Sequence, residues 1–374
     1  MLSWLTSSIG SNQILRVHEA SRISILVTTI LFWFGLAAAA AENPVLHMAF
    51  IVGGMLSGFV AGVASSYIVS GLRGKTHRIM GLTYYILILA PIIASLSPLL
   101  ALAKLEYWLI FNAISLALLV VPSVVTAQLT QGTIRLSFVG FTISHVAASI
   151  YLIVGYVTKA YIVIGIAPFL LGFLMAYPIL MIYSVTINAL PSTYGKKPLT
   201  LLYFISILLT LLALILLSTG YVKVSTIVLA ASFIAYAFAV RMDKLATIIK
   251  EVSGLKNPIA RRSHAYFIYG HAFVVGIIGV SLVESIMYLI GLLKLGCIIH
   301  MVAIGFIGLH ISIHAPMMLP VILGIASARR YNYLAFVLLS TAAVLFCLAK
   351  PLSMVLVVLG VILTIMVMWP KLRG

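Results

Sequence analysis

The sequence predicts an all-α protein, a polytopic bundle of about twelve transmembrane helices with both termini in the cytoplasm. Three observations predict this fold: an extremely apolar composition, a succession of apolar segments, and a one-sided distribution of basic residues. Of the 374 residues, 63% are hydrophobic and only 8% are charged. A soluble domain carries about a quarter charged residues, and a soluble fold of this size could not bury so much apolar surface. The lipid bilayer is therefore the first expected partner.

The apolar segments follow one another along the whole chain. A helix that crosses the hydrocarbon core needs about twenty mostly apolar residues. Most connections between the segments are only a few residues long, so successive helices are expected to be antiparallel neighbours. The predicted spans are 23–41, 45–70, 79–101, 107–128, 136–158, 160–187, 199–219, 221–241, 264–292, 295–326, 331–349 and 351–369.

The basic residues predict the orientation. When the connections alternate sides and the N-terminus is inside, eighteen of the 23 Lys and Arg residues lie inside and five lie outside. Positive residues resist translocation, so both termini are expected in the cytoplasm, with the chain in the plasma membrane. This topology explains the net charge of +17, and no nucleic-acid partner is expected. The outer residues are Lys104, Lys159, Lys223, Lys294 and Lys350.

Residues 1–374 are expected to form a single integral membrane domain. The long connection 242–263 predicts a short amphipathic helix on the cytoplasmic surface, and a division there into eight helices followed by four stays open. The span 23–41 could also be read as the core of a signal peptide, but twenty-two residues precede it, which is long for such a leader. We therefore expect no cleavage.

Small residues and cysteines give two further expectations. Gly54, Gly58 and Gly62 recur every four residues, a spacing that lets a second helix approach closely. The two cysteines, Cys297 and Cys347, are each predicted near the outer end of a helix. Two buried free thiols are favoured, and a disulfide stays open because the outer side is oxidising in many cells.

Histidines are the main functional signal. The chain has nine, and six of them fall within predicted spans. An imidazole in hydrocarbon is costly unless it is paired, so intramembrane histidines indicate a functional site. A helix–helix hydrogen bond stays the alternative for each of them. The six are His47, His145, His271, His300, His310 and His314.

Three of these histidines lie on the span 295–326. At about 100° per residue, His300, His310 and His314 project into less than a quarter of the helix circumference, over a depth of about 21 Å. Such a face is expected to look into the bundle, away from lipid.

Depth in the membrane then groups the histidines into two layers. His47 is expected at the level of His300, and His271 at the level of His314. A neutral imidazole is a good ligand for haem iron and copper. The sequence therefore predicts His47, His300, His271 and His314 as cofactor ligands, with His310 and His145 as further metal ligands.

Glu284 is the only acidic residue well inside a predicted span. Proton-coupled or sodium-coupled transporters usually need more intramembrane acid than this. Glu284 follows His271 by thirteen residues, which places it about 140° around the helix. It is a candidate proton carrier or an anchor for an outer histidine, and a protonated carboxyl bonded to a neighbouring helix is the alternative.

Two motifs resemble the NnrS family. One is His300-Met-Val-Ala-Ile-Gly305-Phe306 with His314-Ala-Pro316 beyond it, and the other is His47-Met-Ala-Phe-Ile-Val-Gly53-Gly54. His271 lies where that family also carries a histidine, whereas Met48 and the His-Ala-Pro motif depart from its pattern. The resemblance implies a twelve-helix membrane protein that contains haem and copper, takes part in nitric oxide metabolism, and is distantly similar to the catalytic subunit of haem–copper oxidases.

These observations predict a haem-binding membrane protein, with copper as a second cofactor left open. It would bind, sense or reduce a diatomic gas, or relay electrons from a quinone, next to other respiratory subunits. An oxidoreductase activity stays open. Two alternatives remain: a transporter of metal ions or of a small solute that uses the same histidines, and a non-catalytic structural subunit of a respiratory complex.

Overall fold

A computed structural model describes residues 11–71, 82–193, 195–323 and 332–368. Within these ranges every regular element is a helix. Ten of the described helices are long and apolar enough to cross a membrane, and two more apolar helices, which begin at Leu334 and Lys350, are shorter. The prediction of an all-helical membrane protein is confirmed at this level.

The helices fall into two compact units, which divide between Asn188 and Ala189. The division lies near the end of the sixth long helix. The long helices up to this point are α1 (Ser11–Ala40), α2 (Pro44–Met48, Ala49–Gly58 and Phe59–Gly71, continuous), α3 (Leu82–Leu96, then a 3₁₀ turn Ser97–Leu102), α4 (Leu105–Leu129), α5 (Gly132–Thr158) and α6 (Ile166–Leu174, Met175–Ile179 and Leu180–Thr193, continuous). A one-turn helix, Ala160–Val163, precedes α6.

In the described part of the chain, the second unit contains the other four long helices, the two shorter apolar helices and one short amphipathic helix. The short helix, Leu245–Ser253, buries Leu245 and Ile248. It is shorter than the predicted 242–263, because the next helix already begins at Pro258, a residue that favours the first turn of a helix. The four long helices are α7 (Thr200–Ser218), α8 (Val222–Ala239), α9 (Pro258–Leu289) and α10 (Leu295–His300, Met301–Gly308 and Leu309–Leu323, continuous). The two further apolar helices are α11 (Leu334–Leu345) and α12 (Lys350–Met368).

Several predicted boundaries differ from the observed ones. Helix α1 begins at Ser11, twelve residues before the predicted 23, because Val17 and Ala20 are buried and His18 Nδ1 lies 3.1 Å from Ser66 Oγ of α2. The predicted span ends at 79–81, 324–326, 331 and 369 lie outside the described residues. So do seven of the inner basic residues, which are Arg73, Lys75, Arg78, Arg329, Arg330, Lys371 and Arg373.

The glycine ladder of α2 packs on α1, which confirms the expectation that a second helix approaches closely there. A Cβ atom at Gly54 would lie 2.9 Å from Leu31 Cδ1, one at Gly58 would lie 2.7 Å from Thr28 Cγ2, and one at Gly62 would lie 3.2 Å from Ser24 Cβ. Side chains at these positions would push the two helices apart. Close approach also lets Ser24 Oγ donate to the Gly58 carbonyl at 2.9 Å.

Three of the described long helices contain a π-helical segment, in which the hydrogen bonds run from i to i+5. These segments are Ala49–Gly58 in α2, Met175–Ile179 in α6 and Met301–Gly308 in α10. The first begins two residues after His47 and the third directly after His300. The backbone is therefore irregular next to two of the predicted histidines. Such π segments are frequent at functional sites.

Candidate functional site

Three of the predicted ligands meet inside the second unit. His271 of α9 lies with its ring centroid 5.8 Å from that of His310 and 5.6 Å from that of His314, both on α10. The rings of His310 and His314 are nearly parallel, with centroids 6.2 Å apart. Residues four apart share a helix face, which explains the second pair. We call these three residues the histidine cluster.

His310 uses both of its ring nitrogens. Nδ1 lies 2.7 Å from the Phe306 carbonyl, and Nε2 lies 2.9 Å from Tyr236 Oη of α8. A carbonyl can only accept, so Nδ1–H donates to it and the neutral ring accepts from the tyrosine hydroxyl at Nε2. Both side chains are almost fully buried, so the pair is shielded from water.

His271 has one nitrogen bonded and one unpaired. Its Nδ1–H donates to the Phe267 carbonyl at 2.7 Å. Its Nε2 is buried and has no hydrogen-bond partner. In this tautomer Nε2 carries a lone pair. An iron or copper ion would bind the imidazole through this nitrogen. A buried acceptor without a partner costs about 1–3 kcal/mol, so it calls for a functional explanation.

The orientation of His271 recurs in other intramembrane histidines. Nδ1 of His47 lies 2.9 Å from the Gly35 carbonyl, and Nδ1 of His300 lies 2.8 Å from the Gly296 carbonyl. Metal-binding histidines almost always donate their second ring N–H to a carbonyl or carboxylate, which fixes the tautomer and the ring. These imidazoles are therefore oriented as ligands usually are.

Aromatic rings enclose the histidine cluster. Phe267 lies 4.6 Å from His271 and 5.0 Å from His314, centroid to centroid. Phe306 lies 4.5 Å from His310 and stacks on Phe233 of α8 at 4.1 Å. These rings give the three histidines flat, apolar neighbours.

The donor atoms do not form a ready-made site for a bare metal ion. In the described part of the chain, no three His, Cys, Asp or Glu side chains are placed to hold one metal. The expectation of a copper centre with several protein ligands therefore finds no support here. Haem is a different case, because the porphyrin nitrogens occupy most coordination positions of the iron, and one axial imidazole is enough to hold it. The unpaired Nε2 of His271 fits that requirement.

His300 has different surroundings from the other histidines of α10. Its ring stacks on Phe346, beyond the end of α11, with centroids 3.5 Å apart. The predicted alignment of His300 with His310 and His314 assumed α-helical geometry throughout. The π segment Met301–Gly308 lies between them and changes the rotation per residue.

The two remaining histidines belong to the first unit. His47 lies two residues before the π segment of α2 and is half-buried. His145 of α5 is fully buried, with Nδ1 3.2 Å from Ser123 Oγ and Nε2 3.5 Å from Tyr177 Oη of α6. The predicted pairing of His47 with His300, and of His145 with the histidine cluster, stays a prediction.

Glu284 lies on α9 and its side chain is 7% exposed. Its Oε2 atom has no hydrogen-bond partner, and the same is true of Ser281 Oγ one turn earlier. Both residues line a small cavity between α8, α9 and α10. The helix–helix hydrogen bond that we considered for this carboxyl is not made by Oε2.

The two cysteines form a disulfide, which corrects the expectation of two free thiols. Cys297 at the start of α10 is bonded to Cys347, two residues after α11, with their Cα atoms 5.6 Å apart. Fifty residues separate them in the chain. The expectation was wrong because the proximity of two helix ends cannot be read from a sequence when their neighbours are unknown.

Comparison with protein-family models, with characterised proteins and with solved structures gives no match for this chain. The resemblance to the NnrS family therefore rests on the quoted motifs alone. The function has to be argued from the site itself.

Sequence reasoning missed the tyrosines that bond to the histidines. Tyr236 and Tyr177 lie in predicted spans, where a phenol hydroxyl needs a partner when buried. That requirement was the available signal, although it does not say which helices are neighbours. The Phe233–Phe306 stack and the unpaired Ser281 carried no signal that distinguishes them from ordinary apolar packing.

Proposed function

We propose that all twelve apolar helices cross the plasma membrane and that both termini lie in the cytoplasm. The asymmetry of the basic residues supports this orientation. The disulfide supports it independently, because Cys297 and Cys347 fall at the outer ends of α10 and α11 in this topology, and disulfides form in oxidising compartments. A C-terminal fluorescent fusion is expected to be bright and an alkaline phosphatase fusion inactive. The reverse result would overturn the orientation.

We further propose that the protein binds haem inside the bilayer and that it acts in diatomic-gas or electron-transfer chemistry. A single observation carries this proposal: His271 presents a buried, unpaired Nε2 while its Nδ1–H is held by a carbonyl. The motifs that resemble the NnrS family agree with it. When bound, haem would supply a redox-active iron with a position for a gas or an electron partner.

Two members of the histidine cluster, His271 and His310, have a role in this proposal, and a neighbouring group sets each role. The Phe267 carbonyl orients His271 and makes its Nε2 a better donor. Tyr236 holds His310 in the tautomer whose Nε2 accepts a proton, so this pair can hold or pass a proton next to the iron ligand. The aromatic walls exclude water, which strengthens every electrostatic interaction in the site.

The test is the absorption spectrum of protein purified from haem-replete cells. The wild type is expected to show a Soret band, and His271→Ala is expected to lose it. His18→Ala is the matched control, because His18 lies near the start of α1 and is bonded to Ser66 of α2. A wild type without colour or iron would reject the proposal, and so would a band that all the single histidine variants retain.

A transporter is the second candidate, and the observation that favours it is the buried carboxyl of Glu284 beside a cavity. It predicts uptake of a metal ion or small solute into proteoliposomes by haem-free protein. If neither haem binding nor uptake is found, and histidine variants change only stability, the structural-subunit alternative is supported.

A further inference from the structure

The cavity beside Glu284 is a second polar site within the second unit. It leaves about 10 Å³ for the centre of a water molecule, which is room for one water. Thr226 of α8 and Ser281, Glu284 and Ser285 of α9 supply its polar lining. The remaining lining is apolar and consists of Leu229, Ala230, Phe233, Ile298, Met301 and Val302.

Two oxygens of this cavity are unpaired, and two are not. Ser285 Oγ donates to the Thr226 carbonyl at 3.2 Å, and Thr226 Oγ1 donates to the Lys223 carbonyl at 2.8 Å. Ser281 Oγ and Glu284 Oε2 are buried without partners. One water in the cavity can bond to both of them, which would satisfy the two groups at once.

Among the residues that the structure describes, no basic side chain lines the cavity. An ionised carboxylate in such surroundings is expensive, and it becomes neutral when a partner is lacking. Of the titratable side chains on the adjoining segments, Lys223 Nζ donates to the Leu289 carbonyl and the His300 ring stacks on Phe346. Tyr288, one turn after Glu284 on α9, and Lys294, directly before α10, do not line the cavity. Cys297 is in the disulfide and does not titrate. The negative charge of the Glu284 carboxylate is therefore neutralised by a bound proton or by a small cation.

We propose that Glu284 is a proton-binding site of the membrane interior, with one water held between its carboxyl group and the Ser281 hydroxyl. A proton is favoured over a sodium ion because the cavity has room for a single water and mostly apolar walls, which offer few oxygen ligands. Reversible protonation of a buried glutamic acid is the chemistry of intramembrane proton relays.

The site is separated from the histidine cluster by one pair of aromatic rings. Phe233 lines the cavity, and it stacks on Phe306, which packs against His310. The two polar sites thus lie on either side of a stacked pair. The proposal does not depend on haem binding, because it rests on residues that do not belong to the histidine cluster.

The test uses dicyclohexylcarbodiimide, an apolar reagent that reacts with protonated carboxyl groups in membranes. Full-length protein in nanodiscs is treated across a range of pH, and the modified peptides are identified by mass spectrometry. Glu284 is expected to be the modified residue, and its labelling should fall about tenfold per pH unit above the titration midpoint. A water-soluble carbodiimide is expected to modify exposed Glu251 and to spare Glu284.

Two variants and one salt complete the test. Glu284→Gln should abolish the labelling. Ser281→Ala should keep it and move the midpoint to higher pH, because the water that bonds to the ionised carboxylate loses its second partner. Replacing choline chloride with sodium chloride at constant pH should change nothing. Folded wild-type protein that is not labelled at any pH would overturn the proposal, as would protection by sodium, which would assign a cation site instead. Haem-free and haem-loaded protein should behave alike, so this test can fail without the haem proposal failing.

Discussion

The Tyr236–His310 hydrogen bond should be measurable as a coupling between α8 and α10. Tyr236→Phe removes the hydroxyl that donates to Nε2 across 2.9 Å but keeps the ring, whose centroid lies 5.8 Å from that of Phe306. No cavity forms, so the cost comes from the lost bond and from the unpaired nitrogen. Interhelical hydrogen bonds in membrane proteins contribute about 0.6 kcal/mol on average and at most about 1.7 kcal/mol. An unpaired buried acceptor costs about 1–3 kcal/mol.

We therefore expect Tyr236→Phe to lower the free energy of unfolding by about 1–2 kcal/mol. The assay is a double-mutant cycle with His310→Phe, in which steric trapping in detergent micelles measures the free energy of unfolding of each variant. The control is Tyr269→Phe on α9, whose side chain is 42% exposed and which should change stability very little. If the effect of the double mutant differs from the sum of the two single effects by less than about 0.5 kcal/mol, the assigned hydrogen bond is refuted.

Two further predictions concern packing and the disulfide. Gly58→Ala should lower the free energy of unfolding by about 1–3 kcal/mol, because its Cβ atom would lie 2.7 Å from both Thr28 Cγ2 and Ser95 Cα. The control is Gly276→Ala, where nothing lies within 4 Å of the added Cβ atom. Equal effects of the two variants in an unfolding assay would contradict the prediction. Cys297→Ser should lower the free energy of unfolding by about 2–4 kcal/mol. In wild-type protein, a maleimide should label the two thiols only after reduction. Labelling of unreduced, folded protein would show that the disulfide is absent.

The sequence predicted those parts of the fold that depend on local spacing. Gly54, Gly58 and Gly62 recur every four residues, so they share a face in any α-helix, and that face does pack on α1. His310 and His314 are related in the same way. His271 and His314 were predicted at the same depth in the membrane without any knowledge of which helices touch, and their two rings are in contact.

The sequence could not predict features that depend on helix neighbours or on irregular backbone. Tyr236 is separated from His310 by 74 residues and Cys297 from Cys347 by 50, and no periodicity relates such positions. The π segment Met301–Gly308 breaks the periodicity on which the alignment of His300 depended. The boundary of α1 was missed because burial of Val17 and Ala20 extends the helix beyond its apolar core.

The central claim is that an intramembrane imidazole at position 271 binds haem iron through Nε2. Hyperfine spectroscopy of the haem-loaded protein, prepared with and without ¹⁵N-labelled histidine, tests this claim most directly. We predict that the wild type shows a coupling from an imidazole nitrogen, which changes with the isotope and disappears in His271→Ala. Protein that takes up no iron, or a nitrogen signal that is identical in His271→Ala, would contradict the claim.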